Sequence, residues 1–472
     1  MTPFDGIQAQ VKDVKYALGA AAFKRLPDFG PEAKTPKGKT GFNLKFFLDP
    51  QCSKERRFIE EFDMETSLLF LTDYKHEKLQ NNLFYADLQG TFTPETDGIY
   101  DFGLTTHGTA QLYIGGKSVI DNTKDQVPGD SFFGAGTIEK KGAIELKAGK
   151  PYDILVEFGS APTSKMNVPG VTSMGAGGFF LGGIKRMDPE DEIAKAVKLA
   201  KEVDQVVICA GLNSHFESEG YDRPDMDLPG HIDQLISSVA AANPNTVVVM
   251  QSGTPVTMPW IEKVPSLVQA WYGGNETGNA IADVLFGAVN PSGRLPLSFP
   301  VHNEDNPAFL SYRSELGKTV YTDDVFVGYR HYEKVGKKVN FPFGYGLSYT
   351  TFEYGKLEVL KSGDDLEGTI KVSMEVKNAG SVAGKEVVQV YIAPPEGSAV
   401  TRPVRELKGF KKILLNPGET KIVEVDLPIK YAGSFYDEER NMWVLERGDY
   451  GVLCGGLKKV FNVKTSKWWK GL

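Results

Sequence analysis

Cysteine is scarce in this sequence. Three residues, Cys52, Cys209 and Cys454, stand far apart, odd in number and without metal-ligand spacing. A disulfide framework and a cysteine-built metal centre are therefore not expected, which favours a reducing compartment. No stretch approaches the roughly 18 consecutive apolar residues needed to cross a bilayer, so no membrane partner is expected. Positive charge is not in excess: 53 Lys and Arg against 61 Asp and Glu leave a net charge of −8. With no Lys/Arg run to offset that balance, a nucleic-acid partner is not expected either. Met1 to Gly6 shows no basic region followed by an apolar core, so no leader is visible; this leans towards the cytoplasm without excluding secretion. The one sequon, Asn275-Glu276-Thr277, opens a predicted helix and says little for secretion.

What is present fits a soluble globular chain of several domains. Of the 472 residues, 41% are hydrophobic and 24% charged, and that length is too great for one ordinary core. Aromatics at 11% and 51 glycines suit β-rich modules and carbohydrate binding alike. Thr2-Pro3 predicts a short helix running to about Val11, and Val14 to Leu18 a strand. The Pro/Gly/Lys-rich run from Pro27 to Lys39 marks a boundary. Short alternating strands follow as far as Arg186, among them Gly98–Leu104 and Gln111–Ile114, which predict an all-β sandwich. The glycine run Gly175–Gly178 reads there as a flexible hairpin. The period then changes, with helices predicted near 188–200, 231–242 and 276–286 and buried strands at 205–210, 246–250 and 266–270. Strands alternating with helices predict a largely parallel sheet covered on both faces, to which Val14–Leu18 would add a strand. From about Phe352 the chain is all β again. The fold class is thus multidomain α/β plus all-β: an α/β sandwich interrupted by an inserted β-sandwich, then a final β-sandwich. The divisions fall at 1–36, 37–187, 188–320, a connecting 321–355, and 356–472.

Chemistry is concentrated in the loop after the strand 205–210, Gly211-Leu212-Asn213-Ser214-His215-Phe216-Glu217-Ser218-Glu219-Gly220-Tyr221-Asp222-Arg223-Pro224. Ligands bind at the carboxyl ends of parallel strands, and this loop starts at one. A proton donor needs a carboxyl beside an apolar or aromatic wall. Glu217 and Glu219, flanked by Phe216 and Tyr221, both meet that need, but residues two apart face opposite ways when extended, so one of them reaches a substrate. The bland reading is a solvated loop whose Asp222 and Arg223 pair with each other. His215 reads as a sugar-hydroxyl ligand or an exposed loop histidine. The turn at Asn275–Gly278 lacks the Gly-Lys-Ser/Thr of a phosphate cradle and reads as a helix start.

The run from Ser218 to Gly230, SEGYDRPDMDLPG, resembles the acid/base loop of family 3 β-glucosidases. Trp271–Gly287, Asn290–Pro296, Val325–Tyr332 and Phe341–Thr350 resemble further hallmarks of that family, in its order and spacing, so that the likeness covers essentially the whole chain. It implies that the α/β pieces are the family's second domain, the last sandwich its fibronectin type III-like domain, and the insert a protective-antigen-type domain. It implies a retaining glycoside hydrolase that releases terminal non-reducing β-D-glucose from an oligosaccharide or aryl β-glucoside, with no cofactor. Glu219 matches the general acid/base, with Glu217 the alternative. Phe132 and Phe133 lie in an insert loop that in the family reaches over the active site; they either stack on the sugar beyond the scissile bond or belong to the sandwich core. Phe216, Tyr221 and Arg223 are the other substrate-binding candidates.

Two departures shape what is expected. Calcium-binding versions of the insert carry an acidic pair where this chain has Thr106-His107-Gly108, so no metal is expected. The family's nucleophile lies in a preceding (β/α)8 barrel, and no nucleophile is found in this chain. Asp225 and Asp227 alternate with Met226 and Leu228 and read as the solvent side. Three readings remain: a β-glucosidase whose catalytic apparatus is partly present, a non-catalytic carbohydrate-binding scaffold, and half of a split enzyme completed by an amino-terminal barrel chain.

Overall fold

The computed structural model describes residues 1–79, 82–166, 175–219 and 222–471. Thr2 and Asp5 form a capping box for the first helix, Pro3–Gln10, with Pro3 where its missing N–H leaves no bond unmade. Glycines decide where this helix packs. A Cβ on Gly6 would lie 2.1 Å from the Gly278 carbonyl oxygen, and one on Gly278 would lie 2.0 Å from that of Thr2. The helix therefore meets Thr277–Leu285 backbone to backbone.

The alternation at Val14–Leu18 does not become a strand. That stretch has no ladder partner among the described residues, and Tyr16 is 67% exposed. The parallel sheet consists of Val206–Gly211, Thr246–Gln251 and Ser266–Gln269, paired in that order. An apolar alternation is a local property, whereas a strand needs a neighbouring edge to bond to, and Val14–Leu18 meets none among the described residues. The chain instead lays Ala20 and Ala22 on the α/β core and seats Gly19 against Leu235 of the helix Ile232–Ala242. That core is built on Ile236, Val248, Met250 and the fully buried Trp260, whose indole N–H donates to Asp233 at 2.7 Å.

From Asp28 the chain enters the inserted sandwich. Phe29 is 1% exposed, its ring centroid 5.0 Å from those of Phe92 and Phe102. Asp28 accepts hydrogen bonds from the Gly30 and Ser67 amides at 2.9 and 2.7 Å. The incoming linker is thus part of the insert's packing. One sheet runs in the order Phe58–Met64, Phe42–Phe47, Tyr85–Phe92, Tyr152–Gly159, Thr109–Ile114, Lys117–Asn122; the other, Leu68–Leu71, Gly177–Lys185, Gly98–His107, Lys140–Leu146. Alternate residues such as Phe42, Leu44 and Phe46 point into the shared core with none of their surface exposed. The Gly175–Gly178 run is not a hairpin: Gly177 and Gly178 open a strand antiparallel to Gly98–His107. At the exit, Arg186 pairs with Asp101 at 2.6 Å, and Asp188 caps the helix Pro189–Ala200.

The last body packs Phe352–Ser362, Thr369–Asn378 and Thr420–Pro428 against Glu406–Leu415, Gly384–Ala393, Gly448–Cys454 and Leu457–Val463. The clean alternation of Thr369–Asn378 buries Ile370, Val372, Met374 and Val376. All three cysteines are free thiols.

Candidate functional site

Loops leaving the carboxyl ends of all three parallel strands meet around one carboxylate, Glu217. The loop after Val206–Gly211 begins with a turn in which the Phe216 and Glu217 amides donate to the Asn213 carbonyl at 2.9 and 3.0 Å. This aims the Glu217 side chain back at the loop after Thr246–Gln251. There it accepts the Gly253 amide at 2.7 Å and the Thr254 hydroxyl. The third loop supplies the Tyr272 hydroxyl. Arg223 stands 3.9 Å away, and both side chains are 13% exposed. A Cβ on Gly253 would lie 3.3 Å from Glu217 and 3.2 Å from the Tyr272 ring, so only glycine gives this approach without displacement. Trp271, next to Tyr272, has φ of 57°, a left-handed conformation unusual for a bulky residue.

These contacts fix the chemical state of Glu217. Burial alone would raise its pKa, but the hydrogen bonds from Thr254, Tyr272 and Gly253, with the Arg223 charge, outweigh burial and hold it below the ordinary value. Such a carboxylate is an acceptor and an anchor, and a poor proton donor. Glu219 is placed differently: it is exposed, and it makes no hydrogen bond or ion pair with another described residue. Tyr221, with Gly220, lies outside the described residues.

Asp222 and Arg223 do not pair with each other. Asp222 accepts the Tyr312 hydroxyl at 3.1 Å. Arg223 donates to Thr254 at 3.0 Å and to the Asp227 carbonyl at 3.2 Å, so it braces the loop from beneath. Phe216 is half-buried against the α/β core. His215 is no exposed loop histidine: it is half-buried, and its Nδ1 is fully buried without a hydrogen-bond partner among the described residues. Its pKa lies below the ordinary value through burial and then the charges of Arg25 and Lys24, opposed by Asp130. Residues of the insert therefore stand beside the glutamate loop.

Phe132 and Phe133 follow Asp130 in the insert, and neither belongs to the sandwich core. Phe133 is 61% exposed and Phe132 half-buried. Both have left-handed backbones, φ of 53° and 55°. Their rings lie 5.2 and 6.0 Å from Phe70. Glycine is required where that strand opens: a Cβ on Gly178 would lie 2.4 Å from the Leu69 carbonyl oxygen and 2.9 Å from the Phe132 ring.

A cavity of about 440 Å³ at the junction with the last sandwich, lined by Arg294, Phe343, Tyr354, Glu386, Tyr391 and Arg405 among others, includes no residue of the glutamate loop. Sequence reasoning missed Gly253, Thr254 and Tyr272. The rule that ligands sit beyond the carboxyl ends of parallel strands pointed at their loops, though not at these side chains.

Comparison with known proteins agrees with this architecture. Residues 1–349 match the glycosyl hydrolase family 3 C-terminal domain, and residues 386–457 a fibronectin type III-like domain. The chain is 51% identical over 486 aligned positions to a protein of Aspergillus clavatus named "Probable beta-glucosidase I", covering 100% of this chain and 57% of that protein. A crystal structure of a β-glucosidase from Kluyveromyces marxianus in complex with glucose superposes with a TM-score of 0.91 at 42% identity, over 100% of this chain and 57% of the other. A Streptomyces venezuelae β-glucosidase in complex with D-glucose gives 0.63 at 27% identity, over 98% of this chain and 52% of the other. The chain thus spans about 57% of the length of the curated relatives it matches.

Proposed function

The chain belongs to glycosyl hydrolase family 3, and on that premise we propose that it is the acid/base-bearing portion of a retaining β-glucosidase that removes terminal non-reducing β-D-glucose. Glu219 is the general acid/base: it protonates the departing glycosidic oxygen, then deprotonates the water that releases the glucosyl intermediate. The observation that carries this reading is the contrast between the two glutamates. Glu217 is held ionised by the Gly253 amide and by the Thr254 and Tyr272 hydroxyls, which leaves Glu219 as the carboxyl with freedom to meet a substrate. The aglycone stacks on Phe132 and Phe133, with Phe216, Tyr221 and Arg223 shaping or bracing the loop. The nucleophilic carboxylate, which retention requires about 5–5.5 Å from the acid, comes from a barrel portion outside these 472 residues, on the same polypeptide or a separate chain.

The exposure of Glu219 also favours a second reading, a non-catalytic carbohydrate-binding scaffold, because a proton donor needs a carboxyl beside an apolar or aromatic wall. Purified chain mixed with an amino-terminal barrel half separates the two. Aryl β-glucoside hydrolysis in the mixture, and in neither part alone, is the result expected for the enzyme. Within the mixture Glu219→Gln should lower kcat by about 10²–10⁴-fold, with the smallest loss on substrates whose leaving group needs no proton. Activity that survives Glu219→Gln but vanishes in Glu217→Gln would transfer the role to Glu217. Robust hydrolysis by the chain alone would refute the external nucleophile.

A further inference from the structure

The turn that carries the two phenylalanines is tied to the rest of the molecule at both ends. Before it, Lys24 and Arg25 both reach the Asp130 carboxylate, Arg25 at 2.5 Å. After it, the Leu26 amide donates to Glu139 at 2.8 Å. Lys24, Arg25 and Leu26 are consecutive residues of the linker, so one short segment brackets the turn. The same segment is seated on the α/β body just upstream: Ala20 and Ala22 pack on its core, and Gly19 lies against Leu235.

Among the described residues, the hydrogen bonds inside the turn are the insert's own. The Ser131 hydroxyl donates to the Thr137 carbonyl at 2.7 Å, and His107 Nδ1 lies 2.9 Å from the Ala135 carbonyl oxygen. They shape the turn but cannot aim it at the body. Two successive non-glycine residues with left-handed backbones persist only where the surroundings over-determine them, and the linker contacts at Asp130 and Glu139 complete that set.

The geometry points to Asp130 as a positioning residue: by clamping the Phe132–Phe133 turn to the Lys24–Arg25 linker, it sets the distance between that turn and the glutamate loop and so determines which aglycones fit. This rests on the reading above that the two phenylalanines stack on the aglycone. Lys24, Arg25 and Asp130 side chains are 29%, 21% and 41% exposed. A single pair at such exposure is weak, but two cations share one carboxylate here.

Two measurements test it. In the 472-residue chain, amide hydrogen exchange across 131–136 should quicken on the order of fivefold in Asp130→Ala and in the Lys24→Ala/Arg25→Ala pair, as loss of an ion pair of this kind implies. Asp130→Glu should restore part of the protection. In the chain completed by a barrel half, the ratio of kcat/KM for a β-linked disaccharide over an aryl β-glucoside should shift by about threefold or more in Asp130→Ala. Unchanged exchange overturns the clamp, and changed exchange with an unchanged ratio overturns its role in specificity. If the wild-type mixture hydrolyses nothing, the catalytic reading is what falls, and exchange alone decides on Asp130.

Discussion

Two glutamates two residues apart carry opposite assignments, and the difference lies in their partners. The sequence shows both carboxyls beside aromatics and leaves them as alternatives. The groups that separate them, Gly253, Thr254 and Tyr272, come from loops after two other strands, which no local pattern around 217–219 can reveal. The contrast has a consequence for stability. The pKa of Glu217 in the folded chain lies below its ordinary value near 4.5, so its contribution is fully present above that pH and is lost as pH falls through the lower folded value. Replacement by glutamine keeps the shape but removes the charge that the two hydroxyls, the amide and Arg223 address, at a cost of about 1–3 kcal/mol near neutral pH. Urea unfolding of wild type and Glu217→Gln at pH 7 and then at steps below pH 4.5 checks this: the gap should narrow as the solution is acidified. A gap that holds constant or widens would mean that the carboxylate is not held ionised by these contacts.

At the scale of single elements, legibility depended on whether an element's cause is local. Thr369–Asn378 and the helix Pro3–Gln10 carry their causes within them, an alternation in one case and a capping box in the other, and both form where expected. Val14–Leu18 has the alternation but no edge to pair with among the described residues, and Gly177–Gly178 opens a strand because Leu68–Leu71 and Gly98–His107 offer it edges at an approach that only glycine allows. Neither cause is written in the segment itself. The Phe132–Phe133 turn is the sharpest case, since nothing in a Phe-Phe pair announces left-handed backbones. Its strain is open to measurement. Phe133 is 61% exposed, so replacement by glycine forfeits little burial while relieving a conformation that costs an L side chain roughly 1–2 kcal/mol. Phe133→Gly should therefore leave thermal stability unchanged or raise it by up to about 1 kcal/mol. On the proposed function, the same variant should also weaken binding of a β-linked disaccharide once a barrel half completes the chain. Clear destabilisation would show that the exposed ring contributes more to the packing with Phe70 than its surface indicates.

Across the whole molecule, ion pairs recur where the bodies join, beside apolar contacts such as Tyr329 against Tyr391. The insert is tied to its linker by the ion pairs of Asp130 with Lys24 and Arg25, and Asp101 pairs with Arg186 within the insert at its exit. The last sandwich is joined in part through Arg294, which pairs with Glu386 and also donates to the Gly346 carbonyl; Glu333 with Arg405 and Arg330 with Glu406 are further pairs across the junction. Glu386 in turn accepts the Tyr354 hydroxyl at 2.8 Å, and the tyrosine is pushed to a high pKa by its burial and by that carboxylate. The Arg294 and Glu386 side chains are 14% and 6% exposed, so the pair is largely desolvated. Its attraction roughly repays the loss of hydration, whereas either partner alone leaves a buried charge uncompensated. Arg294→Met should thus cost about 3–5 kcal/mol, and the double variant Arg294→Met/Glu386→Leu should recover most of that loss. Denaturant midpoints for the single and double variants decide the matter, with limited proteolysis across 342–352 reporting whether the last sandwich has come loose. If the double variant is as unstable as the single one, the junction depends on bonds made by each residue separately, Arg294 to the Gly346 carbonyl and Glu386 to Tyr354, and the bodies are joined by a network in which the ion pair is the lesser part.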